Sequence, residues 1–276
     1  MIRFLLLLFA IAALFPGWLN AQFIELTPLQ VVQNYVSPNG FPAKKQHVAG
    51  ELSAERRSDT TLRQRLPPRI KRSCRLIRED SVTACVALWL RDSVSSFDYY
   101  FYLRKKQVWM MYSIRSLAGT ELVRTQLRVL DSVPSADRGK VWTSTHAHTW
   151  KFEYDNAQLY LSNDSNLKSY FSAHLIEFEK LRKSLEKGKY LNRGDSVLSH
   201  SGENKKIRKQ LDALLIRSIA ADSSSPGGIL FVIGGTGDDR CGYLYQPDPA
   251  KLPAVNERYY ILIESLGKGW YLIKTT

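Results

Sequence analysis

Apolar positions change period along this chain, and each change marks an element. Thr27-Pro28-Leu29-Gln30 sets a hydroxyl cap, a proline at the first helical position and a glutamine three residues after the cap. Leu26 and Val31 stand where a hydrophobic staple would. The spacing predicts a helix through Val32, Tyr35 and Val36, stopped by Ser37-Pro38-Asn39-Gly40. Residues 41–72 are poor in large apolar groups, and read as loop with at most a short helix. Ser81–Leu90, Phe97–Leu103 and Val108–Leu117 then follow closely, rich in Val, Trp, Tyr, Phe and Ile, and predict an antiparallel meander. Both alternating faces of these strands are apolar. A sheet with one solvated face would alternate more cleanly, so something covers the second face.

Beyond Glu121–Leu130, a short helix, the segment Pro134-Ser-Ala-Asp-Arg-Gly139 reads as a linker. The second half opens on an aromatic strand candidate, Thr145–Tyr154. Next come helices over about 166–187, with Leu167, Tyr170, Phe171, His174, Phe178, Leu181 and Leu185 on one stripe, and over about 203–220, with Ile207, Leu211, Leu214, Leu215 and Ile219 inward. Four strands close the chain: Gly228–Ile233, Cys241–Gln246, Tyr259–Leu266 and Trp270–Thr275, the last two a hairpin around Gly267-Lys268-Gly269. The expected architecture is α+β, a leader at 1–21, one domain over 22–133, a linker over 134–140 and a second domain over 141–276, each with helices packed on an antiparallel sheet.

The order helix, basic loop, long strands, ending in Asp98-Tyr-Tyr-Phe-Tyr-Leu-Arg-Lys-Lys-Gln-Val-Trp-Met-Met-Tyr-Ser-Ile-Arg-Ser-Leu117, resembles the nuclear-transport-factor-two-like (SnoaL-like, cystatin-like) superfamily over about residues 23–118. The resemblance implies a cone-like curved sheet wrapped on a helix, with a pocket that Asp98, Tyr100 and Tyr102 would line. The sequence departs from the pattern in lacking a second clear helix before the strands, unless residues 51–65 supply it. Gly242-Tyr-Leu-Tyr245 and the last eight residues resemble the closing strands of uncharacterised exported bacterial proteins, which implies no activity.

Composition narrows the class. With 276 residues, 44% hydrophobic and 24% charged, the chain is neither disordered nor multispanning. Met1-Ile2-Arg3, the apolar run from Phe4 to Phe15 and the small residue at Ala21 form a secretory signal pattern, too short to span a membrane, so an exported, periplasmic or extracellular protein is expected. In such a compartment Cys74, Cys85 and Cys241 allow at most one internal disulfide. A hairpin turning at Glu79-Asp80 would set Cys74 opposite Cys85. That position is a hydrogen-bonded pair, where side chains stand farther apart, so a bridge there calls for a bulge.

The net charge of +13 is concentrated: the window from Lys44 to Arg78 holds eleven Lys and Arg against three Asp and Glu. Arg63, Arg65, Arg69 and Arg72 stand out as a basic patch, which favours an anionic envelope component or an acidic protein. Nucleic acid is not expected, since no binding motif for it is present. Gly234-Gly-Thr-Gly-Asp-Asp-Arg240 lacks the lysine and following helix of a phosphate loop, and reads as a hairpin turn. His146 and His148 would alternate onto one strand face without a third metal ligand nearby, and His174 reads as a core histidine. No nucleophile elbow occurs. No cofactor or metal is expected. Two function classes remain: a non-catalytic binding or scaffold protein acting through the basic patch, and a small-molecule binder or enzyme using the first-domain pocket.

Overall fold

The structure, a computed structural model, describes residues 25–58, 60–92, 96–141, 148–187 and 205–276. Residues 1–21, read in the sequence as a leader, and His146 lie outside them. The fold is α+β, with one four-stranded and one five-stranded antiparallel sheet, each flanked by helices.

Helix α1 (Pro28–Tyr35) begins as its sequence demands: Thr27 Oγ1 accepts from Gln30 N–H while Gln30 Oε1 accepts from Thr27 N–H. A 3₁₀ stretch at Gly50–Arg57 and the single turn α2 (Leu62–Arg65), with its own capping box at Thr61, lead into the first sheet. Its strands β1 (Lys71–Glu79), β2 (Thr83–Arg91), β3 (Ser96–Lys105) and β4 (Trp109–Arg115) pair in chain order as a meander. The period of two sorts their side chains between two cores. Val86, Leu88, Phe101, Leu103 and Met111 join α1 residues Val31, Val32 and Tyr35 in one cluster. Cys85, Ala87, Tyr100 and Tyr102 join the other, together with the second half of the chain. The doubly apolar strands of the first sheet are thus explained, because both faces are covered.

The Cys74–Cys85 alignment is corrected by the structure. Asp80 accepts from the N–H groups of Val82 and Thr83 and from the Thr83 hydroxyl, which holds a wider turn than Glu79-Asp80 alone. Together with a bulge between Leu76 and Arg78, this pairs Cys74 with Leu88 and Cys85 with Arg78. The cysteines lie on opposite faces of the sheet, and all three are free thiols.

Helix α3 (Thr120–Ser132) and the short α4 (Arg138–Val141), which overlaps the segment 134–140 read as a linker, connect the halves. Of the strand expected over 145–154, residues 145–147 lie outside the described residues, and from Trp150 the chain is instead helix α5 (Trp150–Tyr160), capped by Thr149. Its aromatic residues favour strands, but Phe152, Asn156 and Tyr160 sit on one helical face that is buried, and tertiary burial overrides the propensity. The long helix divides into α6 (Asp164–Ala173) and α7 (Leu175–Lys187). At the break, the His174 ring stacks on Tyr170 at 4.3 Å and its Nδ1 lies 2.9 Å from the Tyr170 carbonyl. Helix α8 (Lys205–Ala213) stops early because Leu215 takes a left-handed backbone, φ 53°, so Ile219 belongs to a strand.

The second sheet comprises β5 (Ser218–Ala221), β6 (Ile229–Thr236), β7 (Asp239–Tyr245), β8 (Tyr260–Gly267) and β9 (Trp270–Thr275), in the order β5-β6-β7-β9-β8. Phe171, Phe178, Phe231, Tyr243 and Trp270 interlock over it, with Phe171–Trp270 ring centroids 5.2 Å apart. This cluster continues into Tyr100 and Tyr102 of the first sheet, so the largest core draws on both sides of the 134–140 segment.

Candidate functional site

The sequence-selected arginines part company in the structure. Arg65 is committed: it pairs with Glu55 at 2.8 Å and reaches the Tyr35 hydroxyl at 3.4 Å. Arg63 lies across the Pro67-Pro68 turn, donating to the two proline carbonyls at 2.9 and 3.0 Å. Arg72, which shares its face of β1 with Cys74, has its guanidinium pushed below the ordinary range by burial and by the positive charge of Arg63. Arg69 and Lys71 are exposed between them. Among the described residues no carboxylate pairs with Arg63, Arg69, Lys71 or Arg72. Three other arginines of the first sheet differ: Arg75 holds Glu264 at 2.6 and 2.8 Å, Arg115 holds Glu51 at 2.7 Å, and Arg104 holds Glu257. The result is a local excess of four cations on the edge of the first sheet.

Asp98, Tyr100 and Tyr102 are brought to one side of β3 or its start, but not around a shared pocket. The Tyr102 hydroxyl donates to the Ile261 carbonyl at 2.6 Å, and the Tyr100 hydroxyl donates to Asp164 at 2.8 and 3.0 Å. Asp98 Oδ2 accepts the Asp164 N–H at 3.0 Å. Between the two carboxylates lies Lys274 Nζ, 3.2 Å from Asp98 and 2.8 Å from Asp164, with all three side chains at most 7% exposed. Arg75 approaches Asp164 at 3.7 Å, and Glu264, shared by Arg75 and Lys168, closes the network.

The electrostatics of this cluster follow from burial and pairing. Desolvation opposes the charge on Lys274, yet Asp164, Tyr100 and Asp98 outweigh it and hold its ammonium protonated well above the usual lysine range. Desolvation pushes the Asp98 carboxyl up against the pull of Lys274. Burial raises the Tyr100 phenol well above its ordinary value. Asp98, Tyr100, Asp164 and Lys274 are thus engaged with one another, an arrangement that joins β3, α6 and β9. A cavity of about 200 Å³ touches this cluster at Asp98 and Lys274, and is otherwise lined chiefly by Ser96, Thr120, Glu121 and Tyr160. Lys274 was missed in the sequence. The available signal was parity: Trp270, Leu272 and Lys274 fall on the inward face of β9, and a lysine there needs a buried anion.

The glycine-rich segment is the β6–β7 hairpin turn, as its sequence suggested. Gly237 takes φ 60°, and a Cβ on Gly235 would lie 1.8 Å from the Asp239 carbonyl, so glycine is required there. Asp239 itself does more: its carboxylate accepts from Ala118 N–H at 3.2 Å and from Gly119 N–H, capping α3 from the second half. His148 is not on a strand. It stacks on Phe152 at 3.9 Å beside Arg208 and Asp212. His47 is buried, with Nδ1 2.6 Å from the Trp109 carbonyl. Among the described residues no group of three or more His, Cys, Asp and Glu is arranged to hold a metal ion, and no helix is long and apolar enough to cross a membrane. No family model, no curated protein and no solved structure matches this chain.

Proposed function

We propose that this is a non-catalytic binding protein of the cell envelope, docking an anionic partner on the face formed by Arg63, Arg69 and Arg72. The observation that carries the reading is that these three cations lack carboxylate partners among the described residues while Arg65, Arg75, Arg104 and Arg115 each have one. The repulsion that Arg63 exerts on Arg72 is a cost of the free state, and a bound anion relieves it. The export pattern of residues 1–21 supports an envelope or extracellular partner. The first half is read as a cone-like sheet on a helix, in keeping with the superfamily it resembles, with the second half occupying the face where that superfamily places a pocket. Tyr100 and Tyr102 are engaged there with Asp164 and Ile261, which favours binding at the surface over chemistry in the cone.

The test is binding of the full chain to phosphatidylglycerol vesicles and to a carboxylated polysaccharide, at low and high salt. The variant Arg63→Gln/Arg69→Gln/Arg72→Gln is expected to lose on the order of a hundredfold in affinity, from roughly 1 kcal/mol per cation at an anionic surface. Unchanged binding by the triple variant would overturn the reading.

A further inference from the structure

A second polar region lies where the β2–β3 end of the first sheet meets α3 and the α5–α6 turn. Two adjoining cavities of about 510 and 340 Å³ share Arg91, Asn163 and Asn166 as common walls. Arg124 and Arg128 of α3 line the larger one, and Trp89 lines the smaller. The volumes suit a small ligand rather than a macromolecular surface.

The lining is rich in donors that the fold leaves unused. Asn163 spends its Oδ1 on capping α6 through Asn166 N–H at 2.9 Å, so its amide Nδ2 remains available. The Asn166 side chain is exposed and has no hydrogen-bond partner among the described residues. Arg128 makes one bond, to Thr125 Oγ1 at 3.2 Å, which leaves most of its five donors for a ligand. Arg124 lies over the Phe97 ring at 4.2 Å and its Nη1 pairs with Glu121, so one guanidinium is positioned in advance with its remaining donors left for a ligand. Arg91 lies over Trp89 at 6.0 Å.

Charge then selects the ligand class. Three guanidinium groups face the larger cavity, and so do two carboxylates, Asp92 and Asp131. A polyanion would meet those carboxylates, whereas a neutral body carrying one oxyanion would set the anion on the arginines and its hydroxyls on the amides and on Asp131. The half-buried Trp89 adds an apolar wall of the kind that packs against a ring face. We propose that this cleft binds a saccharide bearing a single oxyanion, a carboxylate or a phosphate, with Arg91, Arg124 and Arg128 holding the oxyanion and Asn163 and Asn166 the hydroxyls.

Calorimetric titration of the full chain with galacturonic acid, glucose 6-phosphate, glucose and inorganic phosphate tests this. At least one of the two charged sugars is expected to bind about tenfold or more tightly than both glucose and inorganic phosphate, and which one does so tells carboxylate from phosphate. Arg128→Gln/Asn166→Ala, two exposed positions, should weaken that binding at least about tenfold with an unchanged melting temperature. The proposal is overturned if neither charged sugar binds, if inorganic phosphate binds as tightly as they do, or if the double variant keeps full affinity. Arg63→Gln/Arg69→Gln/Arg72→Gln should leave sugar binding intact, which separates this cleft from the basic face.

Discussion

Lys71 and Lys274 carry the same ammonium group and stand in opposite circumstances. Lys274 is 3% exposed and sits between Asp98 and Asp164, whereas Lys71 is exposed beside Arg69 and Arg72 with no carboxylate partner among the described residues. A buried charge is tolerated only when it is neutralised, so the Lys274 network has its donors and acceptors engaged and serves the architecture. An exposed cation needs no partner to be stable, and a group of them retains its field for something outside the chain. Buried charge therefore marks where the two sheets are joined, and unpaired surface charge marks where the protein is available.

The contrast can be broken most severely by alkali. Burial raises the Cys85 and Cys241 thiols to about 12 and Cys74 to about 11, from 9.0 in the unfolded chain. Groups raised by folding lend stability below the unfolded value and lose it as pH climbs toward the folded one. Tyr100 and Lys274, both raised, act in the same direction above 10.0 and 10.5. Stability measured by urea denaturation is expected to fall continuously from pH 9, with unfolding before about pH 12. A flat profile over that range would show that these groups are not buried as described. At acid pH the opposed shifts of Asp98, raised by burial, and Glu264, lowered because Arg75 and Lys168 outweigh its burial, should partly cancel.

Next in size is Lys274→Met, which leaves two buried carboxylates without their cation and should cost about 3–5 kcal/mol. Lys71→Met should stay within about 0.5 kcal/mol. Equal effects of the two would dissolve the comparison. Asp239→Ala removes the cap that the second half places on α3 and should cost about 1 kcal/mol, read from the denaturation midpoint. Arg75→Gln should also cost little beside Lys274→Met: its side chain is 44% exposed, so losing the Glu264 pair should cost under about 1 kcal/mol despite the short contacts.

What could be read in advance depended on how far each interaction reaches along the chain. The Thr27–Gln30 box, the Gly267-Lys268-Gly269 hairpin and the doubly apolar β2–β4 strands involve near neighbours or a repeating period, and all three were legible. Helix α5 was not, because Trp150, Phe152 and Tyr154 satisfy strand propensity and it is packing against α3 and β6 that favours the helix. The α6–α7 break at His174 was also hidden, since its stripe of apolar residues continues unbroken across the kink. The Cys74–Cys85 alignment failed on a turn whose width Asp80 decides through its own side chain.

The candidate site divides along the same line. The density of cations from Lys44 to Arg78 is a property of the sequence, but which of them are spoken for is not. Arg65 found Glu55 within ten residues, while Arg75 found Glu264 at a separation of 189. Asp98 was visible as a polar residue at the start of an apolar strand; its partner Lys274 lies 176 residues away. The sequence by itself determined the α+β class, most of the elements with their amphipathic faces, and the excess of positive charge. Only the tertiary structure decided which charges are cancelled, because cancellation depends on distances of about 3 Å between groups that the chain order leaves far apart.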